Sequence, residues 1–247
     1  MPSSLIVIPT YNEQANIAEM IHAVLSLPEQ LHILIIDDNS PDGTAKEVEQ
    51  LKVKYPDRLF LQSRPGKLGL GTAYIAGFKW ALKNNYDYIV EMDADFSHKP
   101  SDLPRLLKSC ADGADVVVGS RYVKNGNVED WPFNRIFISK GASLYVRMIT
   151  GMPVKDTTAG FVCYKRKVLE TIDLDKIKFI GYAFQIELKF AAWKCGFTLM
   201  EIPITFKDRE KGISKMSSGI FKEAVYGVIK MKWKSIGNSY KKQIAHE

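Results

Sequence analysis

The chain is 247 residues long, 46% hydrophobic and 25% charged, the make-up of a globular protein that builds its own core as one large domain or two small ones. Cys110, Cys163 and Cys195 are widely spaced and form no CxxC, which argues against a disulfide framework or a zinc site and for reduced, cytosolic packing residues. The formal charge of +6 is concentrated in residues 207–247, where ten Lys and Arg face four Asp and Glu; such a tail suits an anionic surface or a solvated helix face, and no motif for nucleic acid accompanies it.

In chain order, PSSLIVIPT near Met1 has neither a basic leader nor a cleavage site, so export is not expected. SLIVI is a predicted strand, followed by a helix carrying Ile17, Met20, Ile21, Val24 and Leu25 at helical spacing, and then by the strand HILII and the turn DDNSPDG. A second helix is predicted over Thr44 to Lys54, a strand at RLFLQ, a third helix at GTAYIAGFKWALKN, and a strand at YDYIV. Next come a helix near Leu103 to Cys110 and the strand ADVVVGS. Short apolar runs separated by amphipathic helices predict an α/β doubly wound architecture with a mainly parallel sheet. After Arg121 the rhythm changes to a loop through Trp131 and Pro132, a helix from Asn134 to Thr150, a strand near AGFVCYK, a helix around Tyr182 to Lys194, and one strand, TLMEIPITF. No internal repeat, low-complexity segment or linker interrupts this, so the expectation is one domain with a distinct acceptor-side half.

Chemistry concentrates in EMDADFSH, where Asp93 and Asp95 directly follow the YDYIV strand. Two aspartates in a turn ordinarily solvate it or cap the next helix. At the carboxyl end of a strand in an open α/β sheet they face the crevice where such folds bind ligands, and hard oxygen ligands suit Mg²⁺ or Mn²⁺ bridging phosphates. The glycines of GKLGLG are not a dinucleotide fingerprint, because that motif belongs between the first strand and first helix, where IPTYNE stands. No GxxxxGK[ST] is present, and Asp37 with Asp38 does not make a receiver domain in so long a chain. His22, His32, His98 and His246 lack metal-ligand spacing and are expected to be surface or satisfied histidines.

The ordered blocks IVIPTYNE, IDDNSPDGT, RPGKLGLGTAYIAGF, EMDADFSHKP, VVVGSRY and TAGFVCYK resemble the inverting family 2 glycosyltransferases of the GT-A fold. More narrowly, SPDGT, GLGTAY, SRY and the arginine and serine of NRIFISKGAS resemble the dolichyl-phosphate and polyprenyl-phosphate mannose synthases. The resemblance implies a GT-A catalytic domain over residues 1–216, followed by a basic amphipathic helix and tail over 217–247. It implies transfer of mannose from GDP-mannose to a polyprenyl or dolichyl monophosphate. The alternatives are another donor such as UDP-glucose, a soluble glycan acceptor, or a nucleotide-sugar-binding module without turnover.

By the same resemblance Pro9, Tyr11 and Glu13 line the base and ribose pocket, Asp37 and Asp38 face the donor, and Asp38 accepts hydrogen bonds from the base. Turn stabilisation is the competing role for one of these two aspartates. Asp93, Ala94 and Asp95 meet the diphosphate, the two carboxylates holding Mg²⁺ or Mn²⁺; Ser97 stands where relatives often carry glutamine, so water takes the place of a third protein ligand. Arg121, Arg135 and Ser139 are the expected acceptor-phosphate residues, the last two one helical turn apart. Arg209 and Lys215, around Gly212, belong to a loop expected to close over the donor, and Lys67 is a further donor contact. Gln185 and Glu187 stand where related transferases place an acidic base, or lie on a helix surface. No general base is required, because a polyprenyl monophosphate is mostly dianionic at neutral pH and is already a nucleophile.

A lipid acceptor requires access to a membrane, yet no stretch approaches the roughly 18 apolar residues of a spanning helix. Ile220, Phe221, Ala224, Val225, Val228 and Ile229 form an apolar stripe, with Trp233 beyond it and Lys222, Lys230, Lys232 and Lys234 nearby. That pattern fits a peripheral helix lying on anionic lipid at the cytosolic membrane face, and equally a helix packed on the catalytic domain. Family members without spanning helices also use small membrane-embedded partners, so the resemblance admits one here.

Overall fold

The computed structural model describes residues 3–181, 183–208, 219–236 and 240–242, with side chains from 226 onward in the last helix. Among the described residues nine strands and eight α-helices follow one another as β1 (Ser4–Thr10), α1 (Gln14–Leu25), β2 (Leu31–Asp37), α2 (Thr44–Lys54), β3 (Leu59–Ser63), α3 (Leu70–Lys83), β4 (Tyr88–Glu91), α4 (Leu103–Ala111) and β5 (Val116–Ser120). The chain continues as β6 (Asn127–Glu129), α5 (Phe133–Thr150), β7 (Val162–Lys165), α6 (Arg166–Thr171), α7 (Ala183–Lys194), β8 (Leu199–Pro203), β9 (Thr205–Lys207) and α8 (Gly219–Lys234).

Seven strands form one sheet in the order β3-β2-β1-β4-β7-β5-β8, parallel except for β7, which runs antiparallel to β4 and β5. Alternation along β1 supplies both faces. Leu5 and Val7 join a core with α3, α7 and α8, while Ile6 and Ile8 join the opposite core with α1 and α4. Gly77 lets α3 lie tightly on the sheet, since a Cβ there would come within 2.4 Å of Val7 Cγ1. From β1 the chain goes outward to β2 and β3 on one side, and β4 lies on the other. This reversal is a topological switch point, and it brings the loops that leave β1, β2 and β4 to one crevice.

Three details differ from the pattern expected of the sequence. The run TLMEIPITF is two strands: β8 stays in the main sheet, and Pro203, which has no N–H to extend the ladder, precedes the step by which β9 leaves to pair with β6. Ile204 joins the two sheets, its N–H donating to the Ser120 carbonyl and its own carbonyl accepting from Asn127 N–H. Strand β6 and the six-residue α6 are too short for periodicity to reveal. The cysteines are free as expected, with the buried Cys110 and Cys163 sulfurs 3.4 Å apart.

Candidate active site

The loop after β4 presents the acidic pair. Asp93 has a side chain 40% exposed, Asp95 is buried, and both line a cavity of about 520 Å³. Asp95 Oδ1 accepts from the Ser97 N–H at 3.1 Å, and Ala94 between the aspartates is buried. Phe96 holds the turn with a φ of 61°, a left-handed conformation uncommon for a bulky side chain. The loops leaving β1 and β2 make comparable turns on Asn12 and Asn39, a residue type that tolerates this region.

His98 is the residue of this loop that spacing rules did not bring forward. It is buried, stacked on Phe161 at 4.9 Å and edge-on to Phe206 at 5.5 Å. Its Nδ1 accepts from the Asp93 N–H at 3.4 Å and lies 3.9 Å from the Asp93 carboxylate. Burial, opposed by Asp95 and assisted by Arg121, pushes its pKa down to about 4, so the ring is neutral at physiological pH.

At the end of β2 the two neighbouring aspartates have different work. Asp37 is 1% exposed and accepts from the Thr10 hydroxyl at 2.8 Å, the Ser40 N–H at 2.9 Å and the Ser40 hydroxyl at 2.6 Å. These bonds fasten its loop. Asp38 accepts from Arg64 Nε at 2.6 Å and from the Leu68 N–H, while Arg64 also donates to Thr72. Arg64 therefore ties the second strand's loop to the start of α3, a long-range role that nothing in its own segment announces. Glu13 accepts from the Asn16 amide and Pro9 lies near the end of β1; Tyr11 lies beneath Lys67, whose Nζ is 4.9 Å from the ring centre.

The expected acceptor-phosphate residues lie in a cluster of cations and rings. Arg121 grips the fully buried Asp156 with Nε at 2.7 Å and Nη2 at 2.6 Å, and its own N–H donates to the same carboxylate at 2.9 Å. This bidentate pair neutralises Arg121, so the guanidinium is first a wall of the cavity. Trp131 separates it from Arg135, the latter stacked 3.9 Å over the indole and paired with Asp208 at 2.6 Å. Ser139 accepts from the Tyr122 hydroxyl at 2.6 Å. Arg135 and Ser139 do share the cavity-facing side of α5, as their spacing predicts.

Gln185 and Glu187 are 2% and 4% exposed, so neither is a helix-surface residue. Glu187 accepts from the Lys178 and Phe179 N–H groups at 2.7 and 2.9 Å and so fastens a loop. Beneath the acidic loop, burial pushes the Glu91 carboxyl up to about 8 and the Lys189 ammonium down to about 8, and Lys189 donates to the Ala159 carbonyl at 2.6 Å. Arg209 and Lys215 lie outside the described residues.

The same cavity has apolar walls that include Phe137, Tyr145 and Val146 of α5, Ile186 of α7 and Val228 of α8. In α8, Val228 and Met231 are buried while Trp233 is exposed, so the helix packs on the domain and still presents an aromatic ring outward; the side chains of Ile220, Phe221, Ala224 and Val225 lie outside the described residues. Among the described residues no helix is long and apolar enough to cross a membrane, and no group of three or more His, Cys, Asp or Glu could hold a metal ion.

Residues 5–173 match the family described as Glycosyl transferase family 2. The chain is 47% identical to polyprenol monophosphomannose synthase of Mycolicibacterium smegmatis over 91% of its length and 85% of that protein's. It is 44% identical to undecaprenyl-phosphate mannosyltransferase of Micrococcus luteus, over 91% of each chain. It is 36% identical to dolichol-phosphate mannosyltransferase of Pyrococcus furiosus, over 92% of this chain and 63% of that protein. Among solved structures, glucosyl-3-phosphoglycerate synthase from Mycobacterium tuberculosis superposes with a TM-score of 0.66 at 16% identity, over 96% of this chain and 80% of that one. A mannosyltransferase from Pyrobaculum calidifontis in complex with GDP-Man and Mn²⁺ superposes at 0.60 and 19% identity, over 98% of this chain and 66% of that one. At such identities these two establish the shared GT-A fold.

Proposed function

The chain belongs to glycosyl transferase family 2, and on that premise we propose that it transfers mannose from GDP-mannose to a polyprenyl or dolichyl monophosphate, with inversion at the anomeric carbon. The observation that carries this reading is the mixed lining of the cavity. Its lining gathers Asp93, Asp95, Arg121 and Arg135 together with apolar side chains of α5, α7 and α8. A soluble glycan would leave those apolar walls without a partner, and a prenyl chain attached to a phosphate matches both kinds of lining.

Two carboxylates on one short loop are oxygen donors suited to Mg²⁺ or Mn²⁺, and since no group of three or more His, Cys, Asp or Glu among the described residues could hold a metal ion, the ion would share its coordination with the donor diphosphate and water. When bound, that ion supplies positive charge to the departing diphosphate. The chain's own residues do the rest. Pro9, Tyr11, Glu13 and Asp38 border the nucleoside end, with Lys67 above Tyr11; Arg135 and Ser139 orient the acceptor phosphate, and Arg121 with Asp156 fixes the wall against which it rests. Arg209 and Lys215 belong to the same reading as donor contacts. One acceptor phosphate oxygen bonds to the anomeric carbon as its bond to the diphosphate breaks; the phosphate dianion is the nucleophile, so the residues' task is alignment and charge stabilisation.

Membrane contact is peripheral in this reading, at the cytosolic face. Phe133, Phe137 and Met148 on α5 and Tyr226 and Trp233 on α8 are strongly exposed, on two helices that pack together, and the basic residues of the tail suit anionic lipid. A small membrane-embedded partner is compatible with the same surface. The test is to incubate the protein with Mg²⁺, a short polyprenyl phosphate and a panel of radiolabelled nucleotide sugars, and then extract the lipid. Label from GDP-mannose in a mild-acid-labile lipid is the expected result; label from another donor, or only in water-soluble product, overturns the assignment.

A further inference from the structure

His98, in the loop that follows β4, is an imidazole for which the reading above has no use. It is 3% exposed and lines the cavity with Asp93, Asp95 and Arg121. Two rings fix its plane, Phe161 stacked at 4.9 Å with 11° between the planes and Phe206 edge-on at 5.5 Å. Within that plane the Asp93 N–H selects the orientation. It donates to Nδ1 at 3.4 Å, and turning the ring over would set a C–H against it. A nitrogen that accepts carries no proton, so the ring is the tautomer with its proton on Nε2. Among the described residues Nε2 has no hydrogen-bond partner, and it is not one of the polar atoms sealed inside the fold, so this N–H opens on the cavity. Gly160, also in the lining, faces the same edge of the ring: a Cβ there would sit 4.0 Å from Cε1, the carbon between the two nitrogens.

From this geometry we propose that His98 Nε2–H donates a hydrogen bond to a phosphate oxygen of a bound substrate. This nitrogen only donates, so it calls for an acceptor. Of the groups that the proposed substrates bring beside Asp93 and Asp95, phosphate oxygens are the ones that only accept, and their charge strengthens the bond. Phe161 and Phe206 hold the donor in place before the ligand arrives, so little freedom is lost in ordering it. The diphosphate of the nucleotide sugar and the monophosphate of the lipid share this chemistry, and the experiment separates them. His98 thus serves the Asp93 backbone with one nitrogen and substrate with the other, and the proposal rests on the mannosyl-transfer reading above.

The test uses the fact that asparagine can place an oxygen near the position of Nδ1, whereas glutamine can place an N–H near that of Nε2. Mannose transfer from GDP-mannose to a polyprenyl phosphate is measured for wild-type protein, His98→Asn and His98→Gln. In His98→Asn, which keeps an acceptor for the Asp93 N–H and loses the donor, kcat/KM falls about tenfold or more; in His98→Gln it returns to within about threefold of wild type. GDP binding with Mn²⁺ names the partner. It weakens in parallel in His98→Asn if the bond goes to the diphosphate, and stays within about twofold while the KM for polyprenyl phosphate rises if the bond goes to the lipid. Equal kcat/KM in wild type and His98→Asn, or an equal loss in both variants, overturns the proposal although the transferase assignment stands. If wild-type protein transfers no mannose, that assignment fails and this proposal with it. Should His98→Asn fold poorly, His98→Gln against His98→Met, alike in length and different in the donor group, gives the same comparison, and equal rates there overturn the proposal as well.

Discussion

The donor side and the acceptor side of the cavity are fastened by different kinds of contact. Around β1 and β2, short polar side chains tie loops to their immediate neighbours: Asp37 holds Ser40, and Asp42 holds Thr44 by a 2.6 Å hydroxyl bond. On the acceptor side the ties are ion pairs between segments far apart in sequence, Arg121 to Asp156 across 35 residues and Arg135 to Asp208 across 73. The donor side adds longer ties to its local turns, the Thr10 hydroxyl to Asp37 across 27 residues and Arg64 to Asp38 across 26, whereas both acceptor-side pairs join distant segments. The consequence is mechanical. The acidic loop should tolerate loss of its ligand-facing carboxylates, whereas the acceptor wall should fall apart when one partner of a buried pair is removed.

The largest expected effect separates these directly. Asp95→Ala should lower transfer by about a hundredfold or more while leaving the thermal unfolding midpoint nearly in place, because the carboxylate serves the reaction. Asp156→Ala should do the reverse in kind. It strands the Arg121 guanidinium in a buried site, which costs about 3–5 kcal/mol of stability by urea unfolding, and activity falls with the fold. A small stability loss in Asp156→Ala, or a large one in Asp95→Ala, would break the comparison.

Next in size is Arg135→Ala. This arginine is about one-third exposed and its pairing with Asp208 is worth little to stability, so the variant should unfold normally and show about a tenfold rise in KM for the polyprenyl phosphate with the donor KM unchanged. Unchanged acceptor kinetics would remove Arg135 from the site.

The smallest effects concern pH, and two groups carry opposite signs. At the start of β2, burial and Arg58 depress the His32 pKa below 6.5, so the unfolded chain binds more protons and stability falls as pH drops below that value. On the acceptor side, burial raises the Glu187 carboxyl above its usual 4.5 despite the backbone bonds from Phe179 and Lys178. There the native state binds more protons, and stability falls as pH rises through that window. Urea midpoints measured at stepped pH should show a shallower acid loss for His32→Gln and a shallower loss above the ordinary carboxylate range for Glu187→Gln. Parallel curves would sink either assignment.

How much of this was legible beforehand follows the same division. Parallel strands buried on both faces read as apolar runs, and the acidic pair follows one of them directly, so the sheet, the switch-point crevice and the placement of Asp93 and Asp95 could be anticipated from residues 4–95 alone. Arg135 and Ser139 came forward through the family resemblance, helical periodicity adding that they share one face. Arg64 and Asp156 could not be found that way, because each matters through a partner that lies next to it only in three dimensions. Glu187 looked like surface or catalysis and proved to be a loop fastener, since periodicity cannot show that α7 is covered on all sides. The two strands hidden in TLMEIPITF were separable in principle, Pro203 being the signal.

The account turns on a divalent cation held by Asp93 and Asp95 while a lipid-borne phosphate displaces the nucleotide. The most direct measurement is single-turnover transfer from radiolabelled GDP-mannose to a polyprenyl phosphate, first with EDTA and then with Mn²⁺ restored. The prediction is no labelled lipid in EDTA and its full return with the metal, in wild-type protein and not in Asp95→Ala. Labelled lipid formed at an undiminished rate in EDTA, or by Asp95→Ala, would contradict it.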